Sequence, residues 1–224
     1  MNRSARWPSL LEALRRQDVA DVELWLNTPG VLAHRDWAGQ APLHAVPTAG
    51  LARRLLAAGA EVHARDNAGL TALDMALRRG RPGVALALLE AGAEISPTAL
   101  HWASWRTDAR VVKKLLDRGC SVSALDAQGR TPLHWVLGER SAVRKETLGI
   151  VQCLVASGAQ WDVSDRAGKT PAGLLVAQQK KASARWRRTL QWIQSIWRLA
   201  VGHKALGQQQ RLRALASLVA VKQA

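Results

Sequence analysis

The sequence predicts an all-α solenoid of helix–turn–helix units with short hairpin fingers, closed by a basic C-terminal helical cap. Three observations carry that expectation. A signature, most complete as Gly129-Arg130-Thr131-Pro132-Leu133-His134, returns as Gly39-Gln40-Ala41-Pro42-Leu43-His44, Gly69-Leu70-Thr71-Ala72-Leu73-Asp74, Ser96-Pro97-Thr98-Ala99-Leu100-His101 and Gly168-Lys169-Thr170-Pro171. A second signature closes the apolar segment of a unit: Leu55-Leu56-Ala57-Ala58-Gly59-Ala60, Leu88-Leu89-Glu90-Ala91-Gly92-Ala93, Leu115-Leu116-Asp117-Arg118-Gly119-Cys120 and Leu154-Val155-Ala156-Ser157-Gly158-Ala159. Charge is also divided: residues 1–165 hold 20 Lys and Arg against 17 Asp and Glu, while residues 166–224 hold 12 Lys and Arg and no acid.

The elements follow in order. Residues Ser9–Arg16 and Asp18–Leu26 read as a first helix pair with Asp18 as N-cap. Thr131 is suited to cap a helix through its hydroxyl, and Pro132 fits the first turn, where a missing N–H costs nothing. Gly119 and its equivalents supply the left-handed residue that ends a second helix. Between units recur Asp36-Trp37-Ala38-Gly39, Asp66-Asn67-Ala68-Gly69, Asp126-Ala127-Gln128-Gly129 and Asp165-Arg166-Ala167-Gly168. These are turns, because the Asp side chain bonds nearby backbone N–H groups and Gly accepts positive φ.

Spacing shows where the array is irregular. Thr71–Gly92 and Thr98–Gly119 each run 21 residues, Ala41–Gly59 runs 18 and Thr131–Gly158 runs 27. Pro47 should cut the first helix of the short unit. The long unit should carry its insertion around Glu139–Thr147. From the closing Gly to the next Thr position the distance is 12 residues at three junctions but only six between Gly92 and Thr98, so one finger should be missing there. Beyond Thr170-Pro171 a long helical stretch is expected from about Lys180 to Val201. Its apolar stripe is Trp186, Leu190, Ile193, Trp197 and Val201, widened by Trp192, Ile196 and Leu199. Gly202 should end it, and Gln208–Lys222 offers one more short helix.

Together the two signatures resemble the ankyrin repeat, and the resemblance covers roughly residues 9 to 175, in about five to six units of about 33 residues each. The domains expected are therefore an array over 1–177 and a basic, Trp-rich helical cap and tail over 178–224. The resemblance implies that His44, His101 and His134, fourth in the Thr-Pro-Leu-His position, bond backbone across neighbouring units. It also implies that finger tips and the residue after that His face a concave groove where partners bind. The finger-tip equivalents are Trp37, Gln40, Asn67, Leu70, Gln128, Arg130, Arg166 and Lys169.

Composition excludes several function classes. A hydrophobic content of 48% argues against wholesale disorder, and no apolar run approaches the length of a membrane span. The N-terminal stretch, which soon carries Glu12, does not read as a secretory signal. The two cysteines, Cys120 and Cys153, read as small buried hydrophobes and fit a reducing, cytoplasmic setting. His34, His63 and His203 lack metal-ligand spacing, and serine-nucleophile, phosphate-loop and paired-carboxylate motifs are absent. No enzyme activity, metal, cofactor or small-molecule substrate is expected.

Tryptophan is the informative residue: the chain has ten Trp and no Phe or Tyr. Trp102 and Trp135 share the position after the His, and Trp105 follows one turn on. The expected function is a non-enzymatic scaffold that binds a protein partner through Trp37, Leu70, Trp102, Trp105, Arg106, Arg130 and Trp135, since Trp and Arg dominate binding hot spots. The plainer reading is that Trp102 and Trp135 only pack on each other. Trp186, Trp192 and Trp197 read as core and cap. A second class of function would use Lys180, Lys181, Arg185, Arg187 and Arg188 to hold a nucleic acid or acidic membrane surface, against a plain solvated face. A third reading is a bacterial effector acting on host proteins, for which no delivery signal is legible.

Overall fold

Three units open on an extended cap residue, at Ala41, Thr71 and Thr131, and four end on a left-handed glycine, at Gly59, Gly92, Gly119 and Gly158, so the helices between are short. The computed structural model describes residues 10, 13, 14, 16–138, 146–181, 191–196 and 198. Leu10, Ala13 and Leu14 are helical and buried. The helices that follow are α1 (Val19–Leu26), α2 (Pro42–Ala45), α3 (Ala49–Ala57), α4 (Ala72–Arg78), α5 (Pro82–Glu90), α6 (Ala99–Arg106), α7 (Ala109–Asp117), α8 (Pro132–Leu137), α9 (Thr147–Ala156) and α10 (Pro171–Lys181), with a 3-10 turn at Val31–Ala33. Among the described residues no strand forms, and an isolated antiparallel bridge joins Arg65 to Thr71.

The chain falls into two compact units, residues 1–99 and 100–224. In the first, α2 packs on α4 and α3 on α5; in the second, α8 packs on α10 and α7 on α9. The signature leucines Leu43, Leu73, Leu100 and Leu133 are buried, as are Leu55, Leu88, Leu115 and Leu154 of the closing signature. Asp18 caps α1 by accepting from the Asp21 N–H at 3.1 Å. Thr131 accepts the His134 N–H in front of α8. At the other end, Gly59, Gly92, Gly119 and Gly158 take φ of +82° to +93°. The residue after each donates to the carbonyl five back, as Ala60 does to Leu55 at 2.9 Å and Cys120 to Leu115 at 3.1 Å. That is the bond that closes a helix over a left-handed C′ residue.

Pro47 has the effect expected of it. Helix α2 is four residues long and stops at Val46, whose extended backbone suits a residue before proline. The carbonyls freed at that end are met by guanidiniums of the next repeat: Arg79 donates to His44 O at 3.0 Å and Arg81 to Val46 O at 2.6 Å. In the long unit, α8 ends at Gly138, whose carbonyl accepts from the Gln178 side chain, and α9 begins at Thr147. Residues 139–145, where the insertion was expected, lie outside the described residues.

The fingers are built alike. Asp36, Asp66, Asp126 and Asp165 each accept, through Oδ1, the backbone N–H groups two and four residues on, at 2.8–2.9 Å. Neighbouring fingers then join through backbone: Asn67 N–H donates to Ala38 O in the first unit, and Arg166 N–H to Gln128 O in the second. The unit boundary at Ala99 coincides with the finger missing between Gly92 and Thr98.

The signature histidines tie each repeat to the finger that follows. His44 Nε2–H donates to Leu70 O at 3.0 Å, His101 to Arg130 O at 2.9 Å and His134 to Lys169 O at 3.1 Å. A carbonyl only accepts, so Nε2 donates, and Nδ1 accepts from the Ala41 and Thr131 N–H groups in two of the three cases. Where no finger follows, the residue is Asp74. This carboxylate accepts from the Thr71 N–H and hydroxyl at 3.0 and 2.9 Å and from the Ser96 hydroxyl at 2.5 Å. Aspartate suits that place: without a finger carbonyl to receive a proton, an acceptor serves better than a donor.

At the C-terminal end, residues 191–196 are helical with Ile193 and Ile196 buried and Trp192 half-buried. Trp186, Leu190, Trp197, Leu199, Val201, the expected stop at Gly202 and the helix expected over Gln208–Lys222 lie outside the described residues. Both thiols are half-buried, less enclosed than expected, and burial pushes each pKa up.

Candidate functional site

Repeat geometry places equivalent positions of successive units side by side, so the residues after the signature His meet. In the second unit these are Trp102 and Trp135, whose rings pack edge to face at a centroid distance of 4.9 Å. Trp105, one turn further along α6, joins both, at 5.7 Å from Trp102 and 5.8 Å from Trp135. Edge-to-face and tilted pairs at such distances satisfy the ring quadrupoles. All three tryptophans are half-buried. The plainer reading of Trp102 and Trp135 thus describes their contact correctly, yet the contact leaves an aromatic surface open.

That surface is the wall of a cleft of about 530 Å³, completed by Gln128, Arg130, His134, Gly138, Asp165, Lys169 and Leu174. Cations cover two of the ring faces. The Arg106 guanidinium lies 4.1 Å from the Trp105 centroid, and that of Arg130 lies 5.0 Å from the Trp135 centroid. Arg130 is held in place by its finger: Nε and Nη2 donate to Asp126 Oδ2 at 2.8 and 2.7 Å, and Nη2 reaches Gln128 Oε1 at 3.2 Å. The same Asp126 oxygen accepts the Trp135 indole N–H at 2.7 Å. Burial pushes the Asp126 carboxyl up, but the hydrogen bonds from Arg130, Trp135 and the Gln128 backbone outweigh it and hold the pKa at about 2. His101 stacks edge-on against Trp135 at 5.6 Å, and burial lowers its pKa. Its Nδ1 and the nearby Ser104 hydroxyl are buried without a hydrogen-bond partner. Thr98, which stands three before this His, lies in a turn where Ala41 and Thr131 are extended caps.

The first unit carries a separate cleft of about 560 Å³, bordered by Trp37, Gln40, Asn67, Leu70, Met75, Arg78 and Arg79 among others. Here the tryptophan stands alone: Trp37 is 93% exposed at its finger tip, fixed through its backbone carbonyl by the Asn67 side chain. The sequence-predicted contact residues therefore form two groups, Trp37 with Leu70 and Trp102, Trp105, Arg106, Arg130 with Trp135. Of the residues expected to hold an anion, Lys180 and Lys181 end α10, while Arg185, Arg187 and Arg188 lie outside the described residues.

Sequence reasoning missed one residue that supports the second cleft, Asp126, and one that lines it, Leu174. Asp126 was legible only as a turn residue; its second role, gripping Arg130 and Trp135 together, depends on the finger curling back over α8. Leu174 takes the place of Trp102 and Trp135 in the last unit, which the loss of Leu-His from the signature obscured. Among the described residues no three His, Cys, Asp or Glu side chains gather as a metal would need, and no helix is long and apolar enough to cross a membrane.

Fingers, paired helices and a histidine ladder define a helical repeat protein. Comparison places it further. Residues 50–89 match the family model described as ankyrin repeats (many copies), and residues 98–127 match the ankyrin repeat model. Residues 50–89 and 98–127 are ankyrin repeats, and the architecture is the all-α ankyrin solenoid. Its repeats indicate a role in protein–protein interaction.

Among curated proteins, it is 29% identical over 135 residues to a putative palmitoyltransferase ZDHHC13 from Danio rerio, which spans 57% of this chain and 20% of that protein. It is 36% identical over 83 residues to palmitoyltransferase Hip14 from Drosophila melanogaster, spanning 36% of this chain and 12% of that one. With inversin from Canis lupus familiaris the identity is 26% over 121 residues, spanning 50% and 11%. The chain thus spans at most 20% of the length of these curated relatives. Among solved structures it is similar to a chain from the complex of the predatory endopeptidase Bd0816 of Bdellovibrio bacteriovorus with the immunity protein Bd3460. That match has a TM-score of 0.64 and 21% identity, over 81% of this chain and 97% of the other. An ankyrin repeat domain from Acinetobacter baumannii matches with a TM-score of 0.59 and 20% identity, over 82% and 96%.

Proposed function

We propose that this chain is a non-enzymatic adaptor that holds a protein partner in the cleft of its second unit. The observation that carries the reading is the three-tryptophan cluster of Trp102, Trp105 and Trp135, half-buried and topped by Arg106 and Arg130. Removing such an aromatic group from water on binding yields much area at little cost in side-chain entropy. Soluble proteins keep few exposed apolar clusters of this kind outside binding sites. Trp37 and Leu70 are proposed as a second, independent contact on the first unit. The palmitoyltransferase relatives lend no activity to this reading, because the shared stretch is a small part of those proteins. The protein–protein complex among the similar structures is consistent with it, at the level of fold.

The test is Trp105→Ala. Affinity capture from the source cell with the wild-type chain should retain a partner, and the variant should lose about 2 kcal/mol of affinity for it. The melting temperature should move far less than the affinity. A captured partner held equally well by the variant would remove the cleft from the interface.

A further inference from the structure

We propose that the cleft of the second unit takes an extended partner segment in which a large apolar side chain stands beside an Asp or Glu carboxylate. The proposal rests on the reading that this cleft is the partner surface, and it adds the chemistry of what fits there. The apolar requirement follows from the wall formed by Trp105, Trp135 and Leu174. The acidic requirement follows from how the charges are already committed.

A wall of indoles ordinarily invites a cation. Here two of the faces are taken, with Arg106 over Trp105 and Arg130 over Trp135. A basic partner would meet guanidiniums where it needs bare rings. The cluster instead presents guanidinium edges, and a planar, weakly hydrated guanidinium lying on an aromatic face still donates to a carboxylate in its own plane. For Arg130 the geometry is specific. Nε and Nη2 are engaged by Asp126 and Gln128, while Nη1 makes none of those bonds, and 39% of the side chain is exposed.

The acids of this region are partly committed. Asp126 is 5% exposed and occupied by Arg130 and Trp135, and Asp165, which lines the cleft, uses Oδ1 to accept two backbone N–H groups of its own finger. The finger cations Arg166 and Lys169 are exposed. The cleft margin therefore carries more positive charge than negative, with Arg106, Arg130, Arg166 and Lys169 against Asp165, beside an apolar wall that excludes water and strengthens the attraction.

Fluorescence anisotropy on the full chain tests this with three sets of synthetic peptides. All share one pattern of Leu and Trp, and they differ only in whether the intervening positions are Glu, Gln or Lys. The Glu set should bind at least about ten-fold more tightly than the Gln set, with the advantage shrinking as salt is raised, and the Lys set should not bind. Arg106→Gln, on an exposed residue in the last turn of α6, should weaken the Glu set about five-fold and narrow its advantage over the Gln set. Arg130→Gln should act in the same direction, with circular dichroism confirming the fold. Equal binding of the Glu and Gln sets, preference for the Lys set, or an advantage that survives both substitutions would overturn the acidic assignment. A partner captured from cells in a Trp105-dependent way that gains nothing from acid would overturn this proposal alone. No Trp105-dependent binding of any kind would overturn the cleft reading with it.

Discussion

The first and second units start from the same signature and build different surfaces. At the position after the signature His the first unit carries Ala45 and Met75, and Trp37 stands exposed at a finger tip. The second carries Trp102 and Trp135, which meet at 4.9 Å and draw in Trp105. Cross-repeat contacts differ in the same way. The first unit is laced by ion pairs of Arg35 with Glu61, Arg53 with Glu90, Arg54 with Glu23 and Arg65 with Glu94, all with largely exposed side chains. Such pairs contribute little each. In the second, the ion pairs Arg110–Asp108 and Arg130–Asp126 stay within a repeat, and one of them positions a ring. A repeat stacks whatever occupies one recurring position, so Ala45 and Met75 leave the first cleft without a ring cluster while Trp102 and Trp135 build one in the second.

The largest effect that would break this comparison belongs to the first unit. Asp74 does there, for the lack of a following finger, what histidine does elsewhere. Asp74→Ala should destabilise the chain by about 3 kcal/mol, because the Thr71 N–H, the Thr71 hydroxyl and the Ser96 hydroxyl lose one buried acceptor together. Urea unfolding followed by circular dichroism measures it; a midpoint within error of wild type would show that the carboxylate is dispensable.

Acid should act next, and on the second unit. The Asp126 pKa of about 2 lies below the ordinary carboxylate value of about 3.9, so its ionised form stabilises the fold. That contribution, about 2 kcal/mol, is fully present above about pH 4 and is lost as pH falls through 2. His101 adds an earlier limb. Its lowered pKa means the unfolded chain binds the proton first, so stability should already fall as pH drops below about 6.5. Thermal melts across pH, with Asp126→Asn abolishing the acid limb alone, check both assignments.

The smallest effect compares one glycine in each unit. Gly39 and Gly129 hold the same finger position at φ of +73° and +72°. A Cβ at Gly39 would lie 2.2 Å from Asn67 Oδ1 and 2.9 Å from the Asn67 backbone N, while one at Gly129 would sit 3.5 Å from Arg166. Gly129→Ala should therefore cost about 1 kcal/mol of backbone strain alone, and Gly39→Ala about 2 kcal/mol through strain plus the clash. Equal melting shifts for the two variants would mean the fingers of the first unit are not as closely joined as the Asn67–Ala38 bond indicates.

What the sequence by itself determined is everything governed by local geometry and period. The caps at Asp18 and Thr131, the left-handed glycines that end α3, α5, α7 and α9, the truncation of α2 before Pro47 and the finger missing before Thr98 all depend on residues a few positions apart. The adjacency of Trp102 and Trp135 was legible too, because a repeat converts one sequence interval into one spatial neighbour. Only the tertiary structure decided which side-chain groups close on one another across repeats. Asp74 looked like a worn copy of a histidine until Ser96 was seen to donate to it. Asp126 looked like a turn residue until its finger folded back to hold Arg130 and Trp135 on one oxygen. Whether a tryptophan is exposed alone, as Trp37 is, or packed against another ring, as Trp105 is against Trp135, depends on the neighbour that the next repeat supplies, and hydrophobicity along the chain does not encode that distance.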